Sequence, residues 1–179
     1  EEKNPQIKNL LCYNINETDE ISKHIENLIK EKTAPIQGLV LAGGKSTRMG
    51  TDKGTLNFYG KNQRDVAIDL LEKNHLKTFL SVREEQEIGI ENKITDKFVG
   101  LGPFGAICSA LQENPDVAWL VIATDLPFVN DKVIQLLLKH RNPSKAATAI
   151  KGKGKQFPEP LITIWEPKSY TLLLNYLAQ

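Results

Sequence analysis

Two predominantly apolar runs, IQGLVLA at 36–42 and VAWLVIA at 117–123, constrain the fold more than any other feature. A strand that is apolar at successive positions must be covered on both faces, as in a parallel sheet with helices on each side. Between and after these runs the apolar spacing turns helical. QRDVAIDLLEKN (63–74) sets Val66, Ala67, Leu70 and Leu71 on one face, and GAICSALQEN (105–114) forms a second helix. DKVIQLLLKHR (131–141), capped by Asn130, presents Val133, Ile134, Leu137 and Leu138. KTFLSV (77–82), AATAI (146–150) and PLITIW (160–165) read as further strands, with Pro167 in the first turn of a final helix. Such alternation predicts an α/β fold, a three-layer, Rossmann-like, mostly parallel sheet. Ligands of these sheets collect beyond the carboxyl ends of the strands.

Residues 1–35 stand apart from this pattern. IKNLLCY (7–13) reads as a short strand, and DEISKHIENLIKEK (19–32) as an amphipathic helix with Ile21, Ile25, Leu28 and Ile29 on one face and Thr18 or Asp19 as its cap. Thr33-Ala34-Pro35 breaks the helix, so the main domain is expected to span 36–179.

Composition narrows the partners. The 179 residues are 40% hydrophobic and 25% charged, with a net charge of +1, which argues against a nucleic-acid footprint or a membrane-surface patch. The N-terminus does not resemble a signal peptide, and no apolar run has the length of a membrane span, so a cytoplasmic protein is expected. Cys12 and Cys108 have no CxxC context and read as free thiols in a reducing compartment, with a disulfide as the alternative. His24, His75 and His140 are scattered, which speaks against zinc.

Two motifs invite a phosphate-binding interpretation and fail on register. Gly44-Lys45-Ser46 mimics the end of a P-loop, but the first glycine of that loop would fall at Leu39, and Gly38 misses by one residue inside the apolar run. Gly100-Leu101-Gly102-Pro103-Phe104-Gly105 satisfies GxGxxG, yet it lies in mid-chain with a proline inside it. A tight turn leading into the helix from Gly105 accounts for it. KGKGK (151–155) reads as a flexible basic loop.

The loop after the first strand is different when taken whole. Ala42, Gly43 and Gly44 let backbone N–H groups approach a ligand closely. Lys45, Arg48 and Lys53 follow within nine residues, a density of positive charge that an anion such as triphosphate would relieve. Lys45 by itself reads as solvated; Arg48 and Lys53 read as phosphate contacts. The second apolar strand ends in Thr124-Asp125-Leu126-Pro127, which sets the Asp125 carboxylate at a strand end, suited to a magnesium ion bridging phosphate oxygens.

LAGGKSTRMGTDK (41–53) resembles the L-A-G-G-x-S-x-R-M-G-x-D-K signature of the molybdenum cofactor guanylyltransferases, within the nucleotide-diphospho-sugar transferase type of fold. GLGPFGA, ATDLPF and FPEPLITIWEP are similar to that family's later motifs and occur in the same order. The resemblance implies transfer of GMP from GTP to the terminal phosphate of molybdopterin, with release of pyrophosphate. It implies nucleotide contacts at Leu41, Ala42, Gly43, Gly44, Lys53, Ser81, Asp96 and Asp125, with Asp125 the Mg2+ ligand and Arg48 and Lys53 steadying the pyrophosphate. The double glycine at 43–44 follows the guanylyl branch, whereas the related cytidylyl enzymes read Ala-Ala-Gly. A nucleotidyltransferase using CTP or a sugar phosphate, and a nucleotide-binding module without turnover, are the alternatives. Ser81 replaces the family's asparagine, with Arg83 nearby as a substitute contact. The family pattern continues past YLAQ (176–179) with a further helix and an Asn-Thr-Pro segment near the pterin side, so a missing C-terminal segment that carries acceptor contacts is expected. Residues 1–35 read as a plain extension or as the tail of a fused GTP-binding adapter.

Overall fold

The computed structural model describes residues 14, 17–42, 57–58, 61–85, 89–126 and 129–178. The chain divides into two compact units, Glu1–Thr33 and Ala34–Gln179. In the first, the described structure centres on helix α1 (Thr18–Lys32). The helix begins at Thr18, so Thr18 and Asp19 lie within its first turn rather than capping it. There Asp19 and Glu20 carry negative charge against the positive end of the helix dipole. The strand expected at 7–13 and Cys12 lie outside the described residues.

The second unit is a helix-covered sheet. Its elements are β1 (Ile36–Leu41), β2 (Asn57–Phe58), β3 (Lys61–Asn62), α2 (Gln63–Lys73), β4 (Thr78–Val82), β5 (Lys93–Thr95), α3 (Pro103–Glu113), β6 (Ala118–Ala123), α4 (Asp131–Lys139), β7 (Ala147–Ile150), β8 (Glu159–Trp165) and α5 (Ser169–Leu177). Six strands form one sheet in the order β5-β4-β1-β6-β8-β7, and β2 and β3 pair separately. The first four run parallel, while β8 is antiparallel to both β6 and β7. The mostly parallel α/β sheet is therefore as its two apolar runs require.

Successive residues of a strand point to opposite faces, and the core divides accordingly. Val40, Leu80, Val82, Leu120, Ile122 and Ile164 pack with Ala67 and Leu71 of α2 and Ile134 and Leu137 of α4. Leu39, Leu41, Ile94, Trp119 and Val121 pack on the other face with Ala106, Ile107, Ala110 and Leu111 of α3, joined by Tyr170 and Leu173 of α5. These are the three layers. Gly38, the near miss for a P-loop glycine, has a packing role. A Cβ there would lie 2.8 Å from Leu71 Cδ1 and 2.9 Å from Thr78 Oγ1, so its absence lets α2 settle on β1.

Several local readings change. Val66 is 47% exposed. With a helix turning about 100° per residue, a face centred on Ala67 and Leu71 takes in Ile68 and leaves Val66 outside. Helix α3 starts at Pro103 rather than Gly105, because proline fits a first turn where no N–H partner is needed. Pro167 precedes α5 instead of entering it: Ser169 N–H and Tyr170 N–H donate back to the carbonyls of Glu166 and Pro167. The pairs β2–β3 and the three-residue β5 escaped the sequence pattern, being too short to show a period. The Asn130 cap is as expected, its side chain accepting from Val133 N–H at 3.3 Å.

Candidate functional site

From β1 the chain passes to β4 on one side and later returns to β6 on the other. The strand order thus reverses between β1 and β6, which makes the carboxyl end of that pair the crevice where such sheets hold ligands. Leu41 is paired with Ser81 on one side and Ala123 on the other, and Val82 with Thr95 beyond. The chain segments that leave this edge are therefore neighbours.

Hydrogen bonds tie them together. Ala42 N–H donates to the Ser81 carbonyl at 3.4 Å, and Asp96 N–H to the Val82 carbonyl at 2.8 Å. The Thr124 hydroxyl donates to the Leu41 carbonyl at 3.4 Å, across the switch point. Asp125 follows at once and is exposed. Of the candidate residues, Leu41, Ala42, Ser81, Asp96 and Asp125 are thus brought to one edge. Gly43, Gly44, Lys45, Arg48 and Lys53 lie outside the described residues, which resume at Asn57. Leu41 is buried with its side chain in the core. Ser81 is likewise buried. Arg83, just past β4, pairs with Glu85 at 3.2 Å.

Asp96 has a built surrounding. Its Oδ1 accepts from Phe98 N–H at 2.9 Å and lies 3.0 Å from the Ser109 hydroxyl. That hydroxyl also lies 2.8 Å from the Gly105 carbonyl and accepts from Lys97 N–H at 2.8 Å. Gly105 makes the cluster possible, since a Cβ there would collide with the Phe98 carbonyl and stand 3.1 Å from Asp96 Oδ1. Gly100 and Gly102 take φ of 88° and 57°, conformations that glycine adopts without strain. The three glycines of the GxGxxG match are accounted for by this turn. One carboxylate oxygen of Asp96 is committed to the turn, and Oδ2 has no protein partner among the described residues. Beneath it, burial foremost and the Asp96 charge second push the Cys108 thiol up to about 11.

Thr124 and Ser109 are the residues that sequence reasoning passed over. A threonine directly before the strand-end aspartate was a usable signal for Thr124. Ser109 gave none, since it lies thirteen residues from its partner within an apolar helix. Among the described residues, no three His, Cys, Asp or Glu side chains cluster as a metal site. No helix among them is long and apolar enough to cross a membrane.

Comparison with known proteins agrees with this fold. Residues 38–179 match the MobA-like NTP transferase domain. The chain is 37% identical over 142 residues to a molybdenum cofactor biosynthesis bifunctional protein of Synechocystis, covering 77% of this chain and 41% of that protein. It is 29% identical over 150 residues to a protein of Methanosarcina acetivorans named a probable molybdenum cofactor guanylyltransferase, covering 76% of this chain and 66% of that one. The chain thus spans less than two thirds of the length of either relative. In fold it is similar to the crystal structure of molybdopterin-guanine dinucleotide biosynthesis protein A from Archaeoglobus fulgidus, with a TM-score of 0.63, 24% identity, and coverage of 80% of this chain and 73% of that one. With the family pattern running through the sheet and its carboxyl edge, the chain belongs to the MobA-like NTP transferase domain family.

Proposed function

We propose that this protein transfers GMP from GTP to the terminal phosphate of molybdopterin, releasing pyrophosphate, in a cytoplasmic step of molybdenum cofactor biosynthesis. The observation that carries the proposal is the bond between the Thr124 hydroxyl and the Leu41 carbonyl, which keeps Asp125 beside the point where the glycine- and cation-rich loop departs. The names of the curated relatives support the same chemistry. The double glycine Gly43-Gly44, which follows the guanylyl pattern, supports GTP over CTP.

In this reading Ala42, Gly43 and Gly44 receive the nucleotide through their backbone, with Leu41 and Ser81 shaping the floor and Asp96 Oδ2 free to accept from the nucleoside. Arg48 and Lys53 balance the charge of the departing pyrophosphate. A phosphate monoester is largely dianionic at neutral pH, so the acceptor needs no general base. Asp125 is an exposed carboxylate in a site where phosphates supply further oxygens, a donor set that fits Mg2+, which is commonly held by one or two carboxylates plus substrate phosphates. Bound there, the ion would supply charge neutralisation at the α-phosphate. Residues 1–35 are read as the tail of a fused GTP-binding adapter, in keeping with the bifunctional name of the Synechocystis relative.

The test is the melting temperature with each nucleotide and magnesium, followed by pyrophosphate release with molybdopterin. GTP is expected to stabilise more than CTP, ATP or UTP, and release is expected with GTP and acceptor together. Equal shifts for all four nucleotides would remove the base assignment; absence of release with an intact chain would remove the transferase reading.

A further inference from the structure

The segment KGKGKQFP (151–158) joins β7 to β8. Its location follows from strand direction. β8 runs antiparallel to β6, pairing Trp119 with Trp165 and Ile122 with Ile162, while Ile150 of β7 pairs with Glu159 of β8. The end of β7 and the start of β8 therefore lie at the edge where β6 delivers Asp125. Since β8 neighbours β6, this connection stands on one flank of Asp125, and Ala42, Ser81 and Asp96 stand on the other.

The connection is more than a flexible loop. Lys155 N–H donates to the Gly152 carbonyl at 3.1 Å, and Gly154 takes φ of 77°, which together form a tight turn. All eight residues are exposed. Lys151, Lys153 and Lys155 make no ion pair with any described carboxylate. Phe157, beside them, is 73% exposed. Three unpaired like charges repel one another until an anion joins them. An exposed aromatic ring gains by stacking on a planar heterocycle.

We propose that this connection is the acceptor-binding element, with Lys151, Lys153 and Lys155 holding the acceptor's phosphate monoester and Phe157 covering its aromatic ring system. The proposal rests on the nucleotidyl-transfer reading and extends it to the second substrate. In-line displacement puts the attacking oxygen and the leaving pyrophosphate on opposite sides of the α-phosphorus. An acceptor phosphate oxygen forms the new bond to that phosphorus, and the bond to the bridging oxygen breaks, its electron pair leaving with pyrophosphate. With the nucleotide over β1, β4 and β5, the acceptor enters from the side of β8 and β7.

The experiment titrates the full chain, saturated with magnesium-GTP, with a fluorescent pterin bearing a phosphate monoester and with its dephosphorylated counterpart. Wild type is expected to favour the phosphorylated probe by roughly tenfold, the sum of a few exposed ion pairs. Replacing all three lysines by alanine should erase that preference, and replacing them by arginine should keep it. Phe157→Ala should weaken both probes several-fold, and Phe157→Trp should restore them. The GTP-induced rise in melting temperature should be the same in every variant, which establishes that the fold and the donor site are intact. A preserved phosphate preference in the alanine variant, wild-type affinity in Phe157→Ala, or no binding of either probe by wild type overturns the proposal. So does lysine-dependent binding to single-stranded oligonucleotides or anionic vesicles with pterin affinity unchanged. Failure of the underlying reading looks different: GTP and molybdopterin then yield no pyrophosphate with wild type, whatever the probes do.

Discussion

Arg141 holds Glu166 through one edge of its guanidinium, Nε to Oε1 at 2.7 Å and Nη2 to Oε2 at 2.8 Å, and Nη2 also reaches the Ala34 carbonyl at 2.7 Å. The pair joins the end of α4 to the end of β8 and to the chain entering β1, at the edge of the sheet opposite the candidate site. Glu166 is 1% exposed. Breaking a buried pair by removing one partner costs about 3–5 kcal/mol, because the other charge stays buried. Arg141→Ala is therefore expected to lower unfolding stability by about that amount, while Arg141→Met with Glu166→Leu should cost far less. Denaturant titration of both variants checks this. A loss below about 1 kcal/mol in Arg141→Ala would mean that water reaches Glu166.

The end of α2 yields a gain instead. Leu76 N–H donates to the Leu71 carbonyl at 3.2 Å and His75 N–H to the Glu72 carbonyl at 2.9 Å, the paired bonds of a Schellman cap. His75 sits in it at φ of 60°, where a side chain is strained and glycine is not. His75→Gly is expected to raise stability by about 1 kcal/mol, the relief of left-handed strain less the entropy that glycine adds to the unfolded chain. A lower melting temperature would show that the exposed imidazole makes a contact worth more than the strain.

The two central strands were legible because each carries an unbroken apolar stretch, 39–42 in one and 117–123 in the other, and only a sheet covered on both faces satisfies that. Helices came from spacing, and their errors were one of phase, Val66 for Ile68, and one of boundary, Gly105 for Pro103. Convergence of Leu41, Ser81 and Asp125 could be anticipated from the rule that strand ends gather ligands, since all three stand at or just past the carboxyl ends of expected strands; Asp96 follows β5, which the sequence pattern did not show, and was named only by the family resemblance. The bonds that fix the edge were not legible. Thr124 to Leu41 spans 83 residues and Arg141 to Glu166 spans 25, and neither leaves a periodic mark in the sequence. Topology was also hidden. Nothing in KGKGKQFP tells which end of the sheet it occupies until β8 is known to run against β6.

Cys108 gives a pH dependence with a definite sign. Burial, then Asp96, raises its thiol from 9.0 to about 11. Below pH 9 the thiol is protonated in both states and its contribution is constant. Between 9 and 11 the unfolded chain loses the proton and the folded chain keeps it, so stability falls as pH rises through this window. The fall attributable to Cys108 is expected to be about 2–3 kcal/mol. Cys108→Ala shares every other titrating group, so the difference between the two stability curves isolates the thiol. Parallel curves from pH 8 to 11 would contradict the assignment, as would rapid alkylation of the native protein at pH 8.

Asp125 and Thr124 are adjacent but are expected to fail differently. Asp125 is exposed, and among the described residues it belongs to no cluster of three potential metal-ligating side chains. Its substitution should therefore leave the fold alone and remove the anchor for the metal that accompanies GTP. Asp125→Asn is expected to reduce pyrophosphate release by about 100-fold or more and to abolish the magnesium dependence of GTP binding, with the unliganded melting temperature unchanged. Thr124 instead spends its hydroxyl on the Leu41 carbonyl, at the junction of β1 and β6. Thr124→Val keeps the shape and loses that bond, which should cost about 1 kcal/mol of stability. Turnover should fall only several-fold, with magnesium dependence intact, because Asp125 is held less firmly but is still present. Measuring melting temperature, magnesium titration and turnover on both variants separates the roles. If Asp125→Asn retained wild-type magnesium dependence, Asp125 would be a turn residue at the end of β6, and the metal would have to be held elsewhere.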